Sequence, residues 1–183
     1  MQVAGKVVVV TGGANGIGRA LCEAFHRAGA AKVIVVDLDH ARAEAVAAVV
    51  DGAAFKCDVA QERNIRHVIE ETEQKYGPIA LFCSNAGIGA GFDPLTVNAG
   101  GNSDEPWSRS WAIHVMAHVY AARHLIPRMK ARGGGYFLNT ISAAGLLSQV
   151  GSPAYSTTKH AAVGFAENLA MATSRPSRWR RTY

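Results

Sequence analysis

At 183 residues, with 49% hydrophobic and 18% charged side chains, the chain has the composition of one globular domain large enough to bury a substantial core. No run reaches the roughly eighteen apolar residues of a membrane-spanning helix, and strand-like sequence begins too early for a signal peptide, so a cytoplasmic, membrane-free protein is expected. The net charge of +5 does not mark a nucleic-acid surface either: Arg175, Arg178, Arg180 and Arg181 supply four charges, and residues 1–174 hold 15 basic against 14 acidic side chains.

The first predicted element is the run Val7-Val8-Val9-Val10. Four consecutive β-branched residues read as a strand buried on both faces. Thr11-Gly12-Gly13-Ala14-Asn15-Gly16-Ile17-Gly18 then breaks it in a T-G-x-x-x-G-x-G pattern, whose missing Cβ atoms permit a tight turn and close approach of a ligand. From Ile17 to Ala28 the period becomes helical, with Ile17, Leu21, Ala24, Phe25 and Ala28 on one face. A strand, a glycine turn and a helix N-terminus make an anion site for a pyrophosphate. Gly13 and Gly18 also have the glycine spacing of a P-loop, but Arg19-Ala20 stands where that motif needs Lys and Ser or Thr. A dinucleotide site requires an acid at the end of a second strand, and Lys32-Val33-Ile34-Val35-Val36-Asp37 supplies it. Asp37 suits the two ribose hydroxyls of an adenosine and repels a 2′-phosphate, which favours NAD over NADP.

Alternation continues with a helix over 41–50, a third strand over 53–58 and a helix over 61–76. Asp58, followed by Val59, stands where a carboxylate can accept the adenine amine or cap the next helix. A fourth strand, 78–84, ends in Asn85-Ala86-Gly87, whose small residues let backbone lie under the nicotinamide ribose while Asn85 braces the sheet. Residues 88–101, rich in Gly, Pro and Asn, read as a loop over the mouth of the site. Ser103 or Asp104 caps a long helix to about Arg132, with Pro127 bending its last turns. Trp107, Trp111, Val115, His118, Val119 and Leu125 surround that helix with bulk, which points to a partner subunit as well as the sheet. His114 and His118 have the spacing of zinc ligands, but with no Glu between them and no third ligand in view no metal is expected. Cys22, Cys57 and Cys83, odd in number and set in apolar segments, read as buried free thiols.

After the turn Gly133-Gly134-Gly135, a fifth strand runs from Tyr136 to Ser142. A helix opens near Ser152-Pro153 and carries Tyr155 and Lys159 four residues apart on one face. A free phenol is a poor base at neutral pH, and a nearby ammonium favours its ionised form. Tyr155 can then exchange the hydroxyl proton of a carbonyl/alcohol pair while Ser142 hydrogen-bonds the same oxygen.

Taken together, the glycine turn, Asp58-Val59, Asn85-Ala86-Gly87, Ser142 and Tyr155-Ser156-Thr157-Thr158-Lys159 resemble the short-chain dehydrogenase/reductase family from about Gly5 to Leu169. The resemblance implies a three-layer, Rossmann-like, doubly wound α/β fold with parallel strand order 3-2-1-4-5. It implies hydride transfer between NAD(H) and a secondary alcohol or ketone, with Tyr155 as acid/base, Lys159 as its activator and ribose ligand, and Ser142 orienting the carbonyl. The implied cofactor-binding set is Thr11, Gly12, Asn15, Gly16, Ile17, Gly18, Asp37, Asp58, Val59, Asn85, Ala86 and Gly87, joined by Tyr155 and Lys159. The family usually has an Asn in the long helix; His114 stands there and is a candidate substitute, since imidazole can relay a proton. Family members also continue for two more strands, whereas from about Met171 this sequence changes character and reads as a shortened or altered end. The expected organisation is a domain over 1–172 and a basic tail over 173–183, assembling as a homodimer or homotetramer through helices 104–131 and 153–172. The rival expectation is an NAD-holding remnant with little turnover.

Overall fold

A computed structural model describes residues 1–92 and 99–174. The inner part of the expected loop over 88–101 and the basic tail from Arg175 onward lie outside the described residues. Five strands form one parallel sheet in the order β3-β2-β1-β4-β5: β1 Val7–Thr11, β2 Lys32–Asp37, β3 Ala53–Lys56, β4 Ile79–Ser84 and β5 Tyr136–Asn139. The doubly wound architecture and its strand order are as expected from sequence. The valine run is the reason β1 lies at the centre. All four valines are buried, Val7 and Val9 toward one helical layer and Val8 and Val10 toward the other. Each fully buried valine contributes on the order of 1.5 kcal/mol or more, so no edge position would use this segment as well.

On one face α1 (Gly16–Arg27) and α2 (His40–Val49) pack Cys22, Ala43 and Val46 against Val8, Val10, Val33 and Val35. On the other, α3 (Glu62–Tyr76) and α5 (Ala117–Ala131) bring Ile65, Ile69, Ala121 and Leu125 onto Val9, Ile34 and Phe82. Polar contacts fix α5 against α3. Glu73 accepts from Arg132 at 2.6 Å, Arg128 at 3.3 Å and the Ile79 N–H at 3.2 Å, and Arg132 also donates to the Ile79 carbonyl at 2.6 Å. This ties the start of β4 to both helices. Cys22, Cys57 and Cys83 are buried free thiols, each pushed up to about 12, chiefly by burial.

The long helix predicted over 104–132 is present from Asp104 to Ala131, with a local change of hydrogen-bond register in its middle. It runs as α4 (Asp104–Trp111), a π-helical stretch (Ala112–Met116) and α5, with Pro127 inside α5. The fifth strand stops at Asn139 rather than Ser142, and the last helix, α6 (Pro153–Ser174), passes the expected boundary at residue 172. Much of the bulk around the long helix is used within the chain, because α4, the π-helical stretch and α5 pack on α3, α6 and β4.

Among the described residues no strand pairs with the outer edge of β5. Tyr136 and Leu138 are 55% and 42% exposed, and a groove of about 730 Å³ alongside is lined by Ile126, Met129, Phe137 and Leu169. Unpaired backbone with apolar flanks is a template for further strand pairing. The isolated chain is expected to self-associate with rising concentration. Leu138→Lys should shift light-scattering mass toward the monomer; an unchanged concentration dependence would remove the edge as the cause.

Candidate active site

At the carboxyl ends of β1, β4 and β5 the chain leaves a cleft of about 890 Å³. Its floor begins with the turn after β1. Gly12 has φ +65°, and a Cβ there would come within 2.9 Å of Ala86 Cα; a Cβ on Gly18 would fall on the Gly12 carbonyl. Strand end, turn and helix therefore pack backbone against backbone, which only glycine permits. Asn15 caps α1, its side chain accepting the Gly16 N–H at 2.8 Å. Among the described residues the N–H groups of Ile17 and Gly18 find no protein acceptor, leaving an open anion site at the positive end of α1.

Asp37 ends β2 at one extremity of the cleft. Its carboxylate accepts the N–H of Ala14 at 3.0 Å and of Asp39 at 3.1 Å, one per oxygen. Both oxygens keep acceptor capacity, a fit for two adjacent hydroxyls. Asp58 and Val59 line the same end; the Asp58 carboxylate accepts the Ala60 N–H at 3.0 Å. Asp58 is not the cap of α3, since Gln61 holds that position.

Asn85, Ala86 and Gly87 form the middle of the floor. The Asn85 amide donates to the Thr11 carbonyl at 3.0 Å, the brace its position suggested. Thr11 itself is buried and lies behind the floor. Its hydroxyl donates to the Cys83 carbonyl and accepts the N–H groups of Asn85 and Ala86 at 2.9 and 3.1 Å, so it supports the turn and does not face the cleft.

At the far end stand Ser142, Tyr155 and Lys159. Ser142 accepts the Ala144 N–H at 3.2 Å, which leaves its own proton available for an oxygen in the cleft. Lys159 Nζ sits 5.6 Å from the centroid of the Tyr155 ring and donates to the Thr140 carbonyl at 3.3 Å. The lysine is 3% exposed, and burial holds its pKa below the ordinary lysine range. One bond for three buried ammonium protons leaves two donors for a ligand.

His114 lies beneath this end, fully buried, with Nε2 accepting the Ile88 N–H at 3.0 Å and Nδ1 2.9 Å from Thr158 Oγ1. One turn on, His118 Nδ1 meets Ser84 Oγ at 2.6 Å. Burial, reinforced by the charge of Lys159, pushes both imidazoles down to about 4 from an ordinary 6.5. Between those values the unfolded chain binds more protons than the folded one, so stability falls as pH drops from about 6.5 to about 4, by at most about 3 kcal/mol per histidine. Urea unfolding at pH 7 and pH 5 reads this directly. Replacing His118 with Gln should remove roughly half of the difference; no difference in the parent would contradict the buried neutral pair.

Several lining residues were not singled out from sequence: Leu38, exposed and next to Asp37 in the chain, and Phe92, Arg109, Ile113 and Gln149. Leu38 had a readable signal, an apolar residue immediately after the strand-end acid. Arg109 and Ile113 belong to the long helix, whose broad apolar pattern does not say which side meets the cleft, and Phe92 and Gln149 come from segments with no periodic cue.

The profile of the family described as short chain dehydrogenase matches residues 6–176. The chain is 31% identical over 185 residues to mouse epidermal retinol dehydrogenase 2, covering 97% of this chain and 58% of that one. It is 30% identical to 3beta-hydroxysteroid dehydrogenase 2 of Eggerthella lenta, over 92% of this chain and 65% of that one. Among solved structures, a short chain dehydrogenase/reductase from Burkholderia phymatum in complex with NAD superposes with a TM-score of 0.86 at 28% identity, covering 94% of this chain and 61% of that one. The chain thus spans about three fifths of the length of these relatives. With the matching fold and the cleft just described, these likenesses place it: the chain belongs to the short-chain dehydrogenase family, a family of oxidoreductases.

Proposed function

We propose that this chain binds NAD(H) along the cleft and serves hydride transfer between that cofactor and a secondary alcohol or ketone. The observation that carries the reading is a single cleft with a hydroxyl-accepting carboxylate, Asp37, and an open helix N-terminus at one end, and Ser142, Tyr155 and Lys159 at the other. The residues fit a dinucleotide: Gly12 and Gly18 leave no Cβ over the turn, and Lys159 has uncommitted donors. When bound, the cofactor supplies or takes up the hydride. Tyr155 gives or accepts the hydroxyl proton, Lys159 holds positive charge beside the phenol and reaches the ribose, and Ser142 donates to the substrate oxygen. Thr11 supports from behind.

Asp37 sets the cofactor preference. NADH is expected to quench tryptophan fluorescence at lower concentration than NADPH, and Asp37→Ser should erase most of that preference, a change of about tenfold or more. Tighter binding of NADPH by the parent chain would overturn the Asp37 argument. Cofactor binding without turnover across a panel of apolar secondary alcohols would instead favour the remnant reading. Assembly as a homodimer or homotetramer through α4, α5 and α6 belongs to the same proposal, supported by Trp111, 46% exposed on α4.

A further inference from the structure

We propose that His114 and Thr158 form a neutral clamp that ties the segment after β4 to the helix carrying Tyr155 and Lys159, making both positioning residues. The clamp rests on the function proposed for the cleft, but its bonding stands independently. Thr158 has one hydroxyl proton, and it goes to its own helix, to the carbonyl of Ala154 at 2.8 Å or Tyr155 at 3.0 Å. Its oxygen can therefore only accept from His114, which requires the proton on Nδ1. At the opposite side of the ring Nε2 accepts the Ile88 N–H, which requires a lone pair. One tautomer satisfies both ends. The protonated ring satisfies only one, consistent with the depressed pKa.

The clamp sits against the reacting groups. The imidazole stands edge-on to the Tyr155 ring, centroids 5.3 Å apart at 87°. A Cβ on Gly87 would lie 3.5 Å from Lys159 Nζ and 3.7 Å from the His114 ring, so cofactor floor, imidazole and ammonium share one close-packed space. The π-helical stretch over 112–116 carries His114 into it. Both ring nitrogens being engaged, the imidazole sets the height of α6 over the floor and does not relay protons, which revises the role expected for it from sequence.

The test compares His114→Gln, His114→Phe and Thr158→Val with the parent. Gln keeps an acceptor where Nε2 lies; Phe fills the volume without bonds, and Val replaces Thr at constant shape. Phe and Val are expected to lower kcat by about 10- to 100-fold with NADH affinity within about threefold, Gln to recover part of the loss, and the double variant to be no worse than either single. A simple packing role predicts near-normal kcat for Phe and Val, or additive losses, and either result overturns the clamp. A second readout needs no turnover: ¹⁵N spectra of the parent should show one tautomer, protonated at Nδ1, from about pH 5.5 to 8.5. A proton on Nε2 in that range overturns the clamp even in a fully active protein. Loss of the proposed redox activity with the Nδ1 tautomer intact would instead count against the function of the cleft.

Discussion

Tyr155→Phe is expected to lower turnover by about 10²- to 10⁴-fold while leaving NADH affinity within a few-fold. The substitution removes one oxygen and keeps the ring. The edge contact with His114 at 5.3 Å and the seat beside Lys159 at 5.6 Å are therefore retained, so stability and cofactor binding have little reason to change. What disappears is the one phenolic proton that lines the cleft among the described residues; Ser142 can still orient a carbonyl but has no ammonium paired with it. Steady-state rates with NADH and an apolar ketone, alongside fluorescence titration of NADH, separate the two quantities. A variant with normal turnover would remove Tyr155 from its role.

The second large effect is expected at Gly18. A Cβ there falls on the Gly12 carbonyl and 2.7 Å from the Asn85 amide nitrogen, atoms of the turn and of its brace. The nearest of these atoms is backbone and cannot swing aside as a side-chain end could, so Gly18→Ala must displace α1 or the turn, at a cost of about 3 kcal/mol or more. Thermal unfolding should drop by about 10 °C, with NADH binding lost. Gly16 is the control. Its φ is +50° but a Cβ there meets open space, so Gly16→Ala should cost only the left-handed strain of about 1 kcal/mol. Equal effects at the two positions would show that close packing at Gly18 is not what the turn depends on.

The parts of the fold legible in the sequence are those whose signal is local. Val7 to Gly18 announces strand, turn and helix in twelve residues, and Asp37 and Asn85 are found because each ends an apolar run at the sheet's carboxyl edge. The π-helical turn at Ala112–Met116 was not legible. No Gly or Pro marks it, and one extra residue in a turn merely rotates the apolar stripe, which in this helix is already broad. The short β5 has a related cause: Thr140 still bonds the Ser84 carbonyl, but β4 ends at Ser84, so nothing remains for residues 140–142 to pair with as strand.

At the site the same division holds. Tyr155 and Lys159 are neighbours by helical spacing, and Gly12 with Gly18 by the spacing of the turn. The contacts of His114 reach 26 residues back to Ile88 and 44 forward to Thr158, distances over which pattern carries no information. Thr11 belongs to the glycine motif by position, yet its hydroxyl faces inward because β1 buries that side of the strand. Motif membership located the cleft; which atoms face it was settled by packing.

A crystal structure of the protein with NADH bears on the redox reading most directly. The adenosine ribose hydroxyls should rest on the Asp37 carboxylate, the pyrophosphate over the Ile17 and Gly18 N–H groups, and the nicotinamide beside Tyr155 and Lys159 with its C4 open to an oxygen shared by Ser142 and Tyr155. A dinucleotide bound with its nicotinamide end away from Tyr155, or found outside this cleft, would contradict hydride chemistry at these residues.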